Sequence, residues 1–297
     1  MSTHSLSATR PVPPLRAEYE RELAPLSHVQ PARALPWHTR LRTHTGARQA
    51  LILIALAALW EAAARWQHND LLWPTFTATL RALAEGLGSG ELLVKAAVSL
   101  RTLLEGYALG VLAAFAFTAL ATASRWGRDL LGTLTAMFNP LPAIALLPLA
   151  LLWFGLGQAS LLFVLVHAVL WAVALNTLAG FQSVPDTLRM AGRNYGLTGV
   201  RFVVQILLPA ALPSVLSGLK IGWAFAWRTL IAAELVFGAT SGQGGLGWYI
   251  YQNRNELYTD RVFAGLVLVI LIGLAVEGLV FQTLERLTVR RWGQQRG

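Results

Sequence analysis

The chain has no cysteine, only three methionines and few charges: 13% of its 297 residues are Asp, Glu, Lys or Arg, against roughly 25% in an ordinary soluble domain. Without cysteine, disulfides and thiolate metal sites are excluded. The six histidines are scattered at no metal-ligand spacing, so no metal site is expected. The phosphate-binding pattern G-x-x-x-x-G-K-S/T is absent, so the chain is not expected to hydrolyse ATP itself. Acidic residues are scarce, which leaves a net charge of +9. The basic residues flank apolar runs and form no single patch, so nucleic acid is not an expected partner. An intramembrane enzyme would need paired acids or a histidine cluster. Glu234 and Glu277 in the later apolar runs are thin evidence for that, and no catalytic residue is assigned.

What the chain does have is apolar length: 55% of it is hydrophobic, and mean hydropathy is positive. Runs near the ~20 residues that cross a bilayer core fall at 50–64, 103–123, 130–153, 160–179, 207–237 and 262–281. The first is short and holds Glu61, and the fifth is long enough to tilt or break. These lengths exclude the short alternating strands of an outer-membrane barrel. They predict an all-α polytopic membrane protein of about six spans. Between the first two runs, a polar stretch with Asp70, Trp73, Pro74 and Lys95 reads as a short surface helix outside the lipid. Residues 1–48 are rich in Pro, Arg and His and read as a largely disordered tail without a secretory signal. Residues 49–292 form the membrane domain, and 293–297 a C-terminal tail. With the N-terminus inside, sixteen basic residues face inward and six outward, as the positive-inside rule requires. Both termini and the loop around 182–206 are therefore expected on the cytoplasmic side.

That loop is long for a passive connection. Val184-Pro185-Asp186 reads as a helix start, with the acid favourable in the first turn. Leu188, Ala191 and Tyr195 recur at helical spacing, while Arg189 and Arg193 form an i,i+4 pair on another face. Gly196 permits a bend, and a second short helix over 200–207 leads into the fifth span. A bent helix pair with Tyr and Arg at its corner suits docking to another protein.

The segment resembles the EAA loop of the permease subunits of bacterial ABC importers, in which a glycine is followed about ten residues later by I-x-L-P. Here these are Gly196 and Ile206-Leu207-Leu208-Pro209. LPAALPSVLSGLKIG and AAEL downstream, with AVSLRTLLEGYALG (97–110) and PAIALLPLALLWFGLG (142–157) upstream, resemble the nitrate, taurine and aliphatic-sulfonate branch. The similarity runs over roughly residues 70 to 292 in the same order. It implies a type I importer permease bundle in the bacterial cytoplasmic (inner) membrane. It also implies a second permease subunit, preferably an identical copy, a cytoplasmic ATPase dimer that holds ATP and magnesium, and an external solute-binding protein. The chain departs from the pattern where Met190-Ala191-Gly192 replaces Glu-Ala-Ala. Arg189, Arg193 and Tyr195 must then supply more of the ATPase contact.

Charge inside a bilayer is costly and faces the protein interior or water. Arg228 in the fifth run is the best candidate for drawing a small anion into a path, with Glu234 and Asn176 as further candidates. His167 reads as an interhelical hydrogen-bonder. Pro140, Pro142 and Pro148 predict a bend in the third span. Pro209 fits the first turn of the fifth span, whereas Pro213 is harder to place in a straight helix. Gly242, Gly244 and Gly247 form a G-x-G-x-x-G, read as an external turn because it follows a spanning helix. An ion-gradient-driven secondary transporter is the alternative, but inverted repeats and an acidic ion site at mid-membrane are not evident.

Overall fold

The computed structural model describes residues 45–237 and 244–290, which are helical with no strand among them. The tail up to residue 44, residues 291–297 and Gly242 of the glycine triplet lie outside the described residues. The chain divides into two units, Met1–Ile54 and Ala55–Gly297. The first is described only from residue 45, as the opening turns of α1 (Thr45–Gln67), so a helix begins inside the stretch read as tail.

In the larger unit, α1 ends against α2 (Phe76–Gly88). Trp60 donates to the Pro74 carbonyl (3.0 Å). Glu61 accepts from the Thr77 amide and hydroxyl (both 3.0 Å). A carboxylate beside a helix N-terminus is favourable, which explains an acid near the end of an apolar run. The Thr75 hydroxyl caps α2 by accepting from the Ala78 amide. A short helix does lie between the first two runs, but none of the four residues that marked the expected one is in it: Asp70, Trp73 and Pro74 precede α2 and Lys95 follows it. Lys95 belongs to α3 (Glu91–Ala123), which starts well before the apolar run.

The third span is broken. Helix α4 (Arg125–Phe138) and the segment Ala143–Phe154, which ends in α5 (Leu147–Phe154), are bent by 88°. Pro140 and Pro142 occupy the break and Pro148 the first turn of α5, the helical position where a missing donor does least harm.

Helix α6 (Gln158–Gln182) is the centre of the unit and is largely buried by its neighbours. It is apolar on every face, as a helix enclosed by others should be. Two stripes of small residues bring its neighbours close. On α3, Gly106 and Gly110 lie against Leu165 and Val169, where an added Cβ would come within 2.6 Å. On α9 (Leu212–Phe237), Gly218 lies against Asn176 and Val173, and Gly222 against Val173 and Val169. In lipid, where hydrophobic driving force between helices is weak, such close packing carries association.

Between α6 and α9 run two short helices, α7 (Asp186–Asn194) and α8 (Gly199–Ala210). The fifth span therefore does not begin at residue 207. α8 continues to Ala210, and the chain turns by 80° before α9. Pro209 lies in the last turn of α8, and Pro213 takes the first turn of α9. The reason is steric. A proline ring clashes with the carbonyl four residues earlier, and α8 widens to a π-helical turn over Val203–Leu207, with the Leu208 amide donating to the Val203 carbonyl. The last described helices are α10 (Leu246–Asn255) and α11 (Thr259–Thr288), the latter carrying a π-helical turn over Val276–Phe281. Among the described residues, four helices are long and apolar enough to cross a membrane, or up to six spans if each bent pair counts as one.

Candidate coupling loop and translocation site

Helix α7 ends in a tightly specified corner. The Gly196 amide donates to the Arg193 carbonyl (2.9 Å) and the Leu197 amide to the Gly192 carbonyl (3.1 Å). This is the Schellman pattern, and Gly196 supplies the left-handed residue it needs, at φ 72°. Gly192 is buried, and a Cβ there would meet Phe202 and Ile206 of α8 at about 3 Å. The Gly in the Met190-Ala191-Gly192 triplet thus lets α7 lie directly on α8. On the other side, Phe202, Val203 and Leu208 of α8 pack on a cluster of Phe181, Val184, Leu207, Ala211 and Val215. That cluster joins the end of α6 to the start of α9.

The outward face of the corner is uncovered. Met190 is 55% exposed and Tyr195 86%; Ala191 and Arg193 are also exposed. Arg189 differs, since its guanidinium donates to the Phe181 and Val184 carbonyls and so caps the end of α6. Of the two arginines expected to reach outward, only Arg193 makes no such bond among the described residues. Arg128, Arg189 and Arg193 share a cavity of about 710 Å³ between the ends of α3 and α6 and the α7–α8 corner.

A second cavity, of about 330 Å³, lies at the break between α4 and α5. Asn139, Pro140 and Pro142 form one wall, His167 and Trp171 of α6 another, and Phe225, Arg228 and Thr229 of α9 a third. Arg228 is exposed, with its guanidinium 5.2 Å from the Phe225 ring centroid. Among the described residues it pairs with no carboxylate.

The other two path candidates are elsewhere. The Asn176 side chain donates to the Ala172 carbonyl (2.8 Å) on its own helix. Glu234, only 3% exposed, accepts from the Ser99 hydroxyl (2.8 Å) and the Gly247 amide (2.8 Å). The Ser99 oxygen in turn accepts from the Leu246 amide (2.8 Å). Glu234 therefore ties α3, α9 and the start of α10 together. Gly247 of the glycine triplet takes part in this knot, where a Cβ would strike Glu234 and the Ile231 carbonyl.

Sequence reasoning missed the Ser99 partnership and the placement of His167 and Trp171 at the cavity. It also missed an ion pair between α9 and α11, Lys220 to Glu277 at 2.8 Å. The only signal for these was the rarity of polar residues inside apolar runs, which says that each needs a partner but not which one.

The described residues form an all-α membrane bundle with two bent helix pairs, and the chain belongs to a class of transport-system permeases. Residues 106–293 match the family model of the binding-protein-dependent transport system inner membrane component. Among relatives, the chain is 31% identical over 239 residues to an Escherichia coli protein described as the aliphatic sulfonates transport permease SsuC, covering 80% of this chain and 89% of that one. It is 34% identical over 159 residues to the taurine transport system permease TauC of the same organism, covering 54% and 56%. The nitrate import permease NrtB of Synechocystis is 26% identical over 240 residues, covering 78% and 86%. The chain is thus a multi-pass membrane permease component of the nitrate, taurine and sulfonate branch, and these relatives are transport components, not enzymes.

Proposed function

We propose that this chain is the membrane-spanning subunit of an ATP-driven importer for a small anion, working as a pair of identical copies in the bacterial inner membrane. A separate ATPase dimer, which holds ATP and magnesium, docks on the α7–Gly196–α8 corner from the cytoplasm. A solute-binding protein delivers the anion from outside. One observation carries this reading: the corner is closed by its own hydrogen bonds and packed against the ends of α6 and α9 on its inner face, while its outer face offers Met190, Arg193 and Tyr195 uncovered.

The mechanism follows from that arrangement. ATP can drive the cycle only by binding one conformation of the assembly better than another. A closing ATPase dimer displaces the corner, and the packing of Gly192 on Phe202 and Ile206 makes α8 move with α7. The 80° turn before α9 then converts that displacement into a tilt of α9. Because α9 carries Arg228, its tilt changes access to the cavity at the α4–α5 break. Arg228 supplies the positive charge for an anionic solute.

In a reconstituted complex, Gly196→Val forces a β-branched residue into the left-handed region at a cost of at least roughly 1–2 kcal/mol. Arg193→Glu with Tyr195→Ala reverses the charge and removes the ring. Both variants are expected to insert normally but to hydrolyse ATP without moving solute. Normal uptake in both would sink the docking assignment, and uptake that persists without ATP would favour an ion-gradient-driven transporter.

A further inference from the structure

The larger cavity, behind the α7–α8 corner, gathers positive charge with no acid to balance it. Arg128, Arg189 and Arg193 line its space of about 710 Å³, and no Asp or Glu is among its lining residues. None of the three pairs with a carboxylate among the described residues. Each arrives there for a local reason. The Ser124 hydroxyl caps α4 by accepting from the Gly127 amide (2.9 Å). A Cβ on Gly127 would strike the Leu120 carbonyl, so glycine lets the first turn of α4 fold back on the end of α3 and brings Arg128 with it. Arg189 is fixed by the bonds from its Nε and one Nη to the Val184 and Phe181 carbonyls, which leaves its other Nη to donate elsewhere. Arg193 follows one turn later on α7.

Three guanidinium groups around one space repel one another, and an anion between them relieves that repulsion. The planar fork of arginine suits phosphate in particular. The volume falls within the range of ~300–1,000 Å³ usual for ligand pockets, so a bare phosphate would leave much of it empty. Apart from Thr122, Gln182 and Thr198, the rest of the wall is apolar or glycine. Apolar surface continues beyond the charges. Val200 of the wall is 78% exposed, Leu120 between the lining residues Ala119 and Ala121 is exposed, and Trp126, two positions before Arg128, is 86% exposed. Exposed tryptophan is typical of a membrane–water interface, where the ring sits at headgroup level. The cavity lies at the ends of α3 and α6, both long and apolar enough to cross a membrane, and so at the height of one leaflet's headgroups. A soluble anion would leave the apolar rim in water. A lipid covers it with its chains while its phosphate reaches the arginines, and basic pockets between spans recognise anionic headgroups in this way.

We propose that this cavity binds a phosphate group, carried by an anionic phospholipid of the surrounding leaflet, with Arg128, Arg189 and Arg193 around the phosphate and the acyl chains along Leu120, Trp126 and Val200. The site goes beyond the importer reading and needs only that these helices stand in a membrane. Arg193 is common to the docking face and to this site, whereas Arg128 belongs to this site alone.

The test measures tritiated phosphatidylglycerol bound to the full chain captured on scintillation beads in a neutral detergent, with neither ATPase nor solute present. Saturable binding is expected. Unlabelled phosphatidylcholine, inorganic phosphate and glycerophosphoglycerol (the headgroup without chains) should each displace it at least about tenfold less well than unlabelled phosphatidylglycerol. Arg128→Gln should weaken binding at least about fivefold, as expected for loss of a charge-assisted bond. Ala123→Trp, which fills the space without touching a charge, should weaken it at least about tenfold. Arg286→Gln removes the same charge from α11, away from the cavity wall, and should leave affinity within about twofold. Arg128 and Ala123 are exposed, and a single elution peak with an unchanged melting profile establishes that each variant is folded. Should Ala123→Trp fail that check, Arg128→Gln against Arg286→Gln decides the matter. Absent saturation, or equal displacement by phosphatidylcholine, overturns the site. Displacement by inorganic phosphate on equal terms overturns lipid as the source of the phosphate. A loss in Arg286→Gln as large as in Arg128→Gln means diffuse surface charge and also overturns the site. Because no ATPase enters the assay, its failure leaves the α7 docking test standing.

Discussion

Glu234 shows how one residue can be read two ways. A lone acid in an apolar run suggests contact with solute, but this one is enclosed by Ser99 and Gly247 at the junction of three helices. Buried hydrogen bonds are worth most when their loss strands a partner. Glu234→Ala leaves the Ser99 hydroxyl and the Gly247 amide unsatisfied, and about 1–3 kcal/mol of stability should go with it. Glu234→Gln keeps an acceptor and should cost less. Thermal unfolding of the detergent-purified chain should rank wild type above Gln and Gln above Ala. Equal midpoints would mean the carboxylate does not hold this junction. Ser99 and Glu234 are 135 positions apart, and nothing in either local sequence announces the other.

At the scale of the element, the bundle depends on α6 being approached closely from two sides. The glycines of α3 and α9 are spaced four apart, which puts each set on one helix face. Gly110→Leu drives a side chain into Val169, and overpacking of this kind costs about 1–3 kcal/mol. At Gly132 of α4, a methyl group would have nothing within 4 Å, so Gly132→Ala should be neutral or raise stability by up to about 1 kcal/mol through helix propensity. The pair is read by the same unfolding measurement. A Gly110→Leu protein as stable as wild type would show that α3 and α6 do not need this approach. The broken elements were only partly legible. Prolines predicted a bend in the third span, but in the fifth they suggested a start at Pro209, whereas the break falls at Ala211.

For the whole molecule, the arrangement turns on which side each end of the bundle faces. The chain has no native cysteine, so single introduced thiols report topology without background. Asn194→Cys, at the end of α7, should resist a membrane-impermeant maleimide applied to intact spheroplasts and react only after permeabilisation. Asn255→Cys, at the end of α10, should react at once. The reverse pattern would invert the proposed orientation and place the α7 corner out of reach of any cytoplasmic ATPase.

The sequence by itself determined that the chain is helical and membrane-spanning, and it marked the corner at Gly196. These properties are local: hydropathy sums along a run, and a left-handed cap needs only a glycine at the right place in the turn. Tertiary structure alone decided which polar groups meet. It brought Glu234 to Ser99 and Lys220 to Glu277, it set His167, Trp171 and Arg228 around one cavity, and it turned Arg189 inward to cap α6. Those pairings depend on the register between helices far apart in the chain. That register is set by where glycine lets two backbones approach, and hydropathy does not encode it.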